Sequence, residues 1–240
     1  MKRRVLITIP AYNEAETIGK VIANIQETFK KEADILVVND CSSDDTEKIV
    51  KSFKDVLCIT NAFNLGYAMS VQTGIKYAAQ NDYDFVIQMD ADGQHLPEEA
   101  KKILQAAEEK DADIVIGGRY YEGSDYESPF FRRFGAKLFK HLIKIFCRET
   151  INDPLSGLQC LNKRVISYYA QAGAYPKYPD AGLLIEMLIK GYKIVEVPVK
   201  MRQREAGTSM HDGFFGPARY MITQIYSCVV VFIKFSWRKR

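Results

Sequence analysis

Short β-branched runs alternate with amphipathic helical stretches through the first half of the chain, and this alternation constrains the fold more than any other feature. The stretch Thr17–Phe29 places Ile18, Ile22 and Ile25 on one helical face, and a second helix is expected at Pro97–Glu109. Such alternation predicts an α/β fold with a mainly parallel, doubly wound sheet and helices on both faces. The runs predicted to be strands are Val5–Ile9, Ile35–Val38, Leu57–Ile59, Phe85–Met89 and Ile114–Ile116, with one further strand at Lys193–Val199.

The composition indicates a folded, cytoplasmic protein and argues against several functional classes. With 240 residues, 47% of them hydrophobic, the chain has enough material for a large buried core. A net charge of +3 without a basic stripe does not favour nucleic acid as a partner. The five cysteines include no CxxC pair, which fits a reducing compartment. The apolar run Tyr226–Trp237 is too short to cross a bilayer, and Val5–Ile9 is too short for a secretory signal.

Polar segments follow the predicted strands at the points where the strands end. They are Pro10–Glu14, Asn39–Ser43, Asp90–Gln94 and Gly117–Arg119. In a doubly wound sheet, ligands bind beyond the carboxyl ends of the parallel strands. The four segments are therefore expected to face one crevice.

An Asp-x-Asp pair occurs at three places, but only one of them follows a strand. The pairs are Asp82–Asp84, Asp90–Asp92 and Asp111–Asp113. Because Asp90 and Asp92 come after the fourth strand, they are the pair expected in the crevice. Two carboxylates beside a diphosphate suit Mg²⁺ or Mn²⁺, which would neutralise a departing nucleotide diphosphate. The alternative is that Asp92 only caps the helix that begins near Pro97.

Other loop residues favour a nucleotide ligand held without the common glycine-rich motifs. The chain has neither G-x-G-x-x-G after the first strand nor G-x-x-x-x-G-K-[ST], which disfavours a dinucleotide oxidoreductase and a P-loop NTPase. Tyr12 is suited to stack on a base, while Glu14 and Asp40 are suited to accept hydrogen bonds from a nucleoside. The alternative for this region is that Asn13 and one of the residues 42–44 are helix N-caps.

Four motifs follow one another along the chain: Pro10–Glu14, Asn39–Thr46, Asn64–Gly66 and Asp90–His95. In this order they resemble the motifs of family 2 glycosyltransferases, and within that family the chain is similar to polyprenyl-phosphate sugar synthases of the dolichyl-phosphate mannose synthase type. The resemblance implies a nucleotide-sugar transferase fold of the A type and an inverting transfer. Two departures are Cys41 within the second motif and Tyr67–Ala68 where family members usually carry Lys-Gly.

The resemblance also implies roles for individual residues on the donor side. The expected donor is a nucleotide-diphosphate sugar, and we favour a UDP-sugar over a GDP-sugar. The residues expected to contact it are Pro10, Ala11, Tyr12, Glu14, Asp40, Asp90, Ala91, Arg202 and Ser209, of which Arg202 and Ser209 belong to a closing region. The residues expected around the metal are Asp90, Asp92 and Gln94.

On the acceptor side, the resemblance implies that arginines hold the phosphate of a polyprenyl phosphate. Arg119 and Arg133 are the expected phosphate ligands, since a guanidinium binds phosphate oxygens in a bidentate manner. Asp92, Arg119 and Arg133 are thus expected at the catalytic centre, together with Asp153 if a general base is required. An anionic phosphate acceptor needs little or no deprotonation, whereas a sugar hydroxyl needs a base. The alternatives are that the arginines are surface cations and that Asp153 is a turn residue before Pro154.

Two apolar and basic segments predict peripheral attachment to the inner face of the cell membrane. As a helix, Lys137–Arg148 gathers Phe139, Leu142, Ile143 and Phe146 on one face, and Tyr220–Trp237 precedes a basic end. The alternative is a core helix with a solvated basic face. We expect one domain with a donor and metal half at 1–120, an acceptor half at 121–213 and a membrane-associating tail at 214–240.

Rival hypotheses are transfer to a saccharide hydroxyl during surface polysaccharide assembly and a non-catalytic nucleotide-sugar binding subunit of a membrane complex. Because no apolar run is long enough to span a bilayer, a small membrane protein is a further expected partner.

Overall fold

The computed structural model describes residues 3–123, 126, 130–202 and 215–236. Its strands are β1 Val5–Ala11, β2 Asp34–Asn39, β3 Val56–Thr60, β4 Phe85–Gln88, β5 Ile114–Gly118, β6 Gln159–Asn162 and β7 Ile194–Pro198. Its helices are α1 Ile18–Phe29, α2 Thr46–Lys51, α3 Tyr67–Gln80, α4 Pro97–Glu109, α5 Phe130–Cys147, α6 Lys163–Tyr169, α7 Ala181–Ile189 and α8 Phe215–Ser236.

The strands form one seven-stranded sheet in the order β3-β2-β1-β4-β6-β5-β7. All neighbouring pairs are parallel except those of β6, which runs antiparallel to both β4 and β5. The mainly parallel, doubly wound sheet predicted from the sequence is therefore confirmed. β6 was not predicted, because only two of its four residues, Cys160 and Leu161, are apolar and they give no strand signal.

Each face of the sheet is covered by helices, so the core has two layers. Alternation along β1 sends Ile7 and Ile9 to the face covered by α1 and α4, and Leu6 to the face covered by α3 and α5–α7. The helix predicted at Thr17–Phe29 packs through Ile22 and Ile25, which are fully buried. Burial on both faces leaves the ends of the strands as the place where polar loops can gather.

The helix predicted at Lys137–Arg148 lies within α5, and its apolar face belongs to the protein core. Phe139 and Ile143 are fully buried, and Leu142 and Phe146 pack against the same core. The expectation that this face enters a membrane is therefore wrong, because the face is already covered by protein. Helix α5 is instead a core helix with a solvated basic face, as the alternative interpretation had it. Its exposed cations include Lys137 and Lys144, and exposed Arg148 follows its last residue.

Helix α8 packs on α7 and α5 with one face and exposes an apolar stripe on another. Its inner face includes buried Gln224 and Cys228, and Phe232 stacks on Phe146 of α5 with ring centroids 4.3 Å apart. The stripe residues are 38–69% exposed. They are Ile222, Tyr226, Val229, Val230 and Ile233. None of the described helices combines the length and the apolarity needed to cross a bilayer.

Candidate active site at the carboxyl ends of the strands

The loops after β1 and β2 are tied to each other by side-chain hydrogen bonds. Asn13 Oδ1 accepts a hydrogen bond from the Ser43 backbone N–H at 2.8 Å, and the Asn13 N–H donates to Ser42 Oγ at 2.9 Å. Asn13 and Cys41 have positive φ values of 54° and 60°, which turn the two loops toward one another. The alternative interpretation was that Asn13 and Ser42 are helix N-caps. In the structure their side chains instead join the two loops. These contacts leave the Tyr12 ring 49% exposed at the rim.

Asp40, at the end of β2, organises the loop that leads into α3. Its carboxylate accepts hydrogen bonds from the Leu65 and Gly66 N–H groups at 2.9 and 2.8 Å and from Asn61 Nδ2 at 2.8 Å. Gly66 has a φ of 86°, a conformation that favours glycine. Because Asp40 is buried and accepts three hydrogen bonds, the structure gives it a local anchoring role, and its contact with a nucleoside stays a prediction.

Asp90 follows β4 and presents a partly exposed carboxylate that is held from two sides. Tyr67 Oη donates to Asp90 Oδ1 at 2.7 Å, and Gln88 Nε2 donates to Tyr67 Oη at 3.0 Å. His95 Nδ1 accepts the Asp90 backbone N–H at 3.0 Å, and His95 Nε2 lies 3.6 Å from Asp90 Oδ2. Burial and the neighbouring Asp90 charge raise the pKa of Tyr67 well above its usual value, so the phenol keeps its proton. The Asp90 side chain is 30% exposed and can receive a ligand.

Asp92 lies two residues further on, beside a segment from the second half of the chain. Asp92 Oδ1 accepts the Gln94 backbone N–H at 3.0 Å, whereas α4 has no side-chain cap, so Asp92 does not cap that helix. The Arg202 N–H donates to the Gln94 carbonyl at 2.9 Å. The structure thus places Arg202 beside Gln94 and near Asp92, and a pocket there is lined by Asp92, His95 and Arg202 together with α1 residues. Ser209 lies outside the described residues.

The donor set of Asp90 and Asp92 fits a divalent cation that shares its ligands with a substrate. Carboxylate oxygens are the ligands preferred by Mg²⁺ and Mn²⁺. Within the part of the chain that the structure describes, no cluster of three or more His, Cys, Asp or Glu side chains could hold a metal. A cation bound here therefore needs further oxygen ligands from phosphate groups and water. A Cβ at Gly157 would lie 3.0 Å from Asp90 Oδ2, so glycine leaves space beside this carboxylate.

Arg119 and Asp153, both expected at the acceptor phosphate, are paired with each other in the structure. Arg119 Nε and Nη2 donate to the two Asp153 carboxylate oxygens at 2.6 and 2.8 Å, and both side chains are buried. Glu196 accepts the Asn152 and Asp153 backbone N–H groups at 2.8 and 2.7 Å, which fixes the segment. This geometry fits a structural pair better than separate phosphate-binding and proton-accepting roles, which stay predictions. Arg133 is exposed on α5.

The sequence motifs did not indicate which side chains hold the aspartate pair in place. Tyr67 reaches Asp90 across a long separation in the chain and is itself contacted by Gln88, while Gly157 matters through close approach alone. The one available signal was Tyr67 itself, which departs from the Lys usual at its position in the family that the chain resembles.

Comparison with known proteins agrees with this geometry. The family model described as "Glycosyl transferase family 2" matches residues 6–168, more than half of the chain. The chain belongs to glycosyl transferase family 2. As the resemblance predicted, it is a family 2 glycosyltransferase with a mixed α/β fold of the A type.

Named relatives and a solved structure refine the picture of what this family 2 glycosyltransferase is similar to. A dolichol-phosphate mannosyltransferase of Pyrococcus furiosus is 34% identical over 220 residues, which cover 88% of this chain and 60% of that protein. An undecaprenyl-phosphate mannosyltransferase of Micrococcus luteus is 29% identical over 92% of this chain and 93% of its own. Glucosyl-3-phosphoglycerate synthase from Mycobacterium tuberculosis, in complex with Mn²⁺, UDP and glucosyl-3-phosphoglycerate, superposes with a TM-score of 0.67. It is 19% identical, over 94% of this chain and 80% of that one, and therefore shows likeness of fold alone.

Proposed function

We propose that this glycosyltransferase moves a sugar from a nucleotide-diphosphate donor to a polyprenyl phosphate at the inner face of the cell membrane, with inversion at the anomeric carbon. The observation that carries the proposal is the partly exposed Asp90 carboxylate beside Asp92 at the carboxyl end of β4. The names of the relatives support the acceptor class, since two of them transfer sugars to lipid phosphates. We favour a UDP-sugar as the donor, in line with the UDP in the structure of similar fold.

The chain's own residues divide the work between the two substrates. Asp90 and Asp92 would hold Mg²⁺ or Mn²⁺, with Gln94 beside them, and the bound cation would neutralise the departing diphosphate. The exposed Tyr12 ring is available to stack on the base. Pro10 and Ala11 end β1, Glu14 follows it and Ala91 follows the parallel strand β4, so all four lie at the same edge of the sheet. Arg202, next to Gln94 and near Asp92, is the cation that we assign to the diphosphate. These contacts would hold the anomeric carbon in place for attack.

The pairing of Arg119 with Asp153 favours a phosphate acceptor over a saccharide hydroxyl. In the transfer, a phosphate oxygen of the acceptor forms the new bond to the anomeric carbon while the bond to the diphosphate oxygen breaks. The attacking oxygen of the acceptor phosphate is already anionic at neutral pH, so no base has to take a proton from it. Asp153, the base expected from the sequence, is buried and accepts two guanidinium hydrogen bonds. Exposed Arg133 is the cation that we assign to the acceptor phosphate.

The apolar stripe of α8 is the surface that we assign to the membrane. Helix α8 packs on α5, which carries exposed cations, and apolar residues together with lysine and arginine are typical of helices that lie in an anionic membrane surface. The alternative is that a small membrane protein, and not the lipid surface, covers the same stripe.

A product analysis with a matched pair of variants tests the proposed function. The protein is incubated with polyprenyl phosphate vesicles, UDP- and GDP-sugars and either Mn²⁺ or Mg²⁺. We expect metal-dependent release of nucleotide diphosphate together with an acid-labile glycolipid. Removing an electrostatic contact to the leaving group typically costs about 10²–10³ in turnover, so Asp90→Asn should lose that much.

The control for this assay is Asp82→Asn, which changes the first residue of another Asp-x-Asp pair. Asp82 is exposed and pairs with Lys163. It precedes β4 and so lies at the amino end of the strand, away from the candidate site at the carboxyl ends, and turnover should remain at the wild-type level. An acid-stable product would instead indicate a hydroxyl acceptor. Donor binding without release of nucleotide diphosphate would indicate a non-catalytic subunit.

A further inference from the structure

Tyr67, the first residue of α3, contacts the candidate metal site although none of the motifs that define the site includes it. We propose that Tyr67 is a positioning residue that sets the orientation of the Asp90 carboxylate for metal binding. The inference rests on the proposed function, because it assigns Asp90 to a metal. It goes further by naming a side chain that acts on the site through its hydrogen bond to Asp90.

The direction of the two hydrogen bonds at Tyr67 makes the phenol a fixed donor to Asp90. The Gln88 side-chain amide can only donate through Nε2, and it does so to Tyr67 Oη at 3.0 Å. The phenolic hydrogen is then directed to Asp90 Oδ1 at 2.7 Å, a charge-assisted hydrogen bond. With Oδ1 held in this way, Oδ2 is the oxygen nearer to Gly157, where an added Cβ would lie 3.0 Å from Oδ2 and 3.5 Å from Oδ1.

The backbone of Tyr67 is itself fixed from the other side of the crevice. Asp40 accepts the N–H groups of Leu65 and Gly66, the two residues that precede α3. The chain of contacts therefore runs from the end of β2 through Tyr67 to the carboxylate after β4. This arrangement joins the loop expected to meet the nucleoside to the carboxylate expected to meet the metal, so Asp90 is oriented before any ligand arrives.

The structure offers a closely matched control for the removal of this hydroxyl. Tyr83 Oη also donates to an aspartate, Asp34, and the distance is also 2.7 Å. Asp34 is the first residue of β2, whereas Asp90 lies two residues beyond the end of β4, so the two hydrogen bonds lie at opposite ends of the parallel strands. Tyr67→Phe and Tyr83→Phe thus delete the same kind of bond, one at the candidate site and one away from it.

The test measures metal binding directly, without turnover. Free Mn²⁺ is followed by electron paramagnetic resonance as full-length protein is titrated with Mn²⁺ in the presence of UDP. Loss of a group that orients a metal ligand typically weakens metal affinity by about 10–100-fold, so we expect Tyr67→Phe to bind Mn²⁺ at least about 10-fold more weakly than wild type. Tyr83→Phe should bind like wild type, and thermal unfolding of both variants reports any general loss of stability.

The outcomes separate this inference from the proposed function. If wild type binds Mn²⁺ and Asp90→Asn abolishes that binding, the metal site stands. Equal Mn²⁺ affinity in Tyr67→Phe and wild type then overturns the role of Tyr67 alone, as does an equal loss of affinity in both tyrosine variants. If wild-type binding is absent, or does not depend on Asp90, the metal site and the role of Tyr67 both fail.

Discussion

The two halves of the molecule use similar polar residues at the same edge of the sheet in different ways. In the first half, hydrogen bonds hold Asp90 in place but leave its carboxylate partly exposed to the crevice. In the second half, Asp153 is fully buried and both of its oxygens are bound by Arg119. Motifs alone nominated both aspartates, and only burial and pairing distinguish a residue available for chemistry from one that supports the fold.

The same contrast extends to the outer surface of the second half. There Tyr220 and Gln224 of α8 donate hydrogen bonds to Asp180, the residue before α7, while the apolar stripe of α8 remains exposed. We therefore expect substitutions at Asp90 and its hydrogen-bond partners to alter metal binding and turnover. Substitutions in the Arg119–Asp153 pair should alter stability, and substitutions on the α8 stripe should alter membrane attachment.

The largest effect should come from breaking the Arg119–Asp153 pair. Asp153→Asn leaves a buried guanidinium without its counter-charge, and breaking a buried pair of this kind costs about 3–5 kcal/mol in free energy of unfolding. Urea denaturation measures the loss. Asp90→Asn should leave the free energy of unfolding nearly unchanged while it removes turnover. A stable Asp153→Asn variant without activity would contradict the comparison and return Asp153 to a catalytic role.

A second, intermediate effect should appear on the exposed stripe of α8. Ile222 is 69% exposed, and burial of an aliphatic side chain of this size contributes about 1.5–3 kcal/mol. Ile222→Glu should therefore weaken binding to anionic lipid vesicles by roughly 10-fold or more, as measured by co-sedimentation. Leu57→Glu is the control, because Leu57 is also exposed but lies on the edge strand β3. Equal losses in the two variants would argue against α8 as the attachment surface.

The smallest effect should be a pH dependence at the junction of α7 and α8. Burial raises the pKa of Asp180 to about 6, although Tyr220 Oη donates to its carboxylate at 2.5 Å and Gln224 Nε2 at 2.7 Å. Because the folded chain holds this proton more tightly than the unfolded chain, its stabilising contribution is full below about pH 4 and is lost as pH rises through about 6.

The variant Asp180→Asn isolates this contribution. Since Asp180 is only partly buried, solvent limits the effect to about 1–2 kcal/mol. The free energy of unfolding of wild type, minus that of Asp180→Asn, should fall by this amount between pH 4 and pH 7. Urea denaturation at several pH values provides the measurement, and a difference that stays constant with pH would contradict the raised pKa.

The fold was predictable from the sequence where a local pattern repeats. The apolar, mostly β-branched runs at Val5–Ile9 and Ile35–Val38 and the apolar face of α1 are such local patterns, and the structure confirms them. Strand β6 has only two apolar residues, Cys160 and Leu161, and carries no such pattern. The apolar face of α5 has the periodicity of a membrane-surface helix, but core burial produces the same periodicity, so the sequence could not separate the two.

The candidate site was predictable only in part, because motifs name residues without naming their partners. The placement of Asp90 and Asp92 at the end of β4 followed from the position of the pair relative to the strand. The pairing of Arg119 with Asp153 joins residues far apart in the chain, and neither segment contains a local signal for it. Likewise, the bond from Tyr67 to Asp90 depends on how α3 begins, which only the three-dimensional arrangement determines.

The reversed strand β6 makes the two halves inseparable as folding units. It lies between β4 and β5, so the first half alone contains two strands whose shared neighbour is supplied by residues 159–162. A fragment that ended after β5 would leave the edge of β4 unpaired, the kind of exposed edge that promotes aggregation. The residues that precede β6 also reach the aspartate pair because this strand starts where its neighbours finish. Swapping acceptor segments between relatives would therefore have to carry β6 along with them.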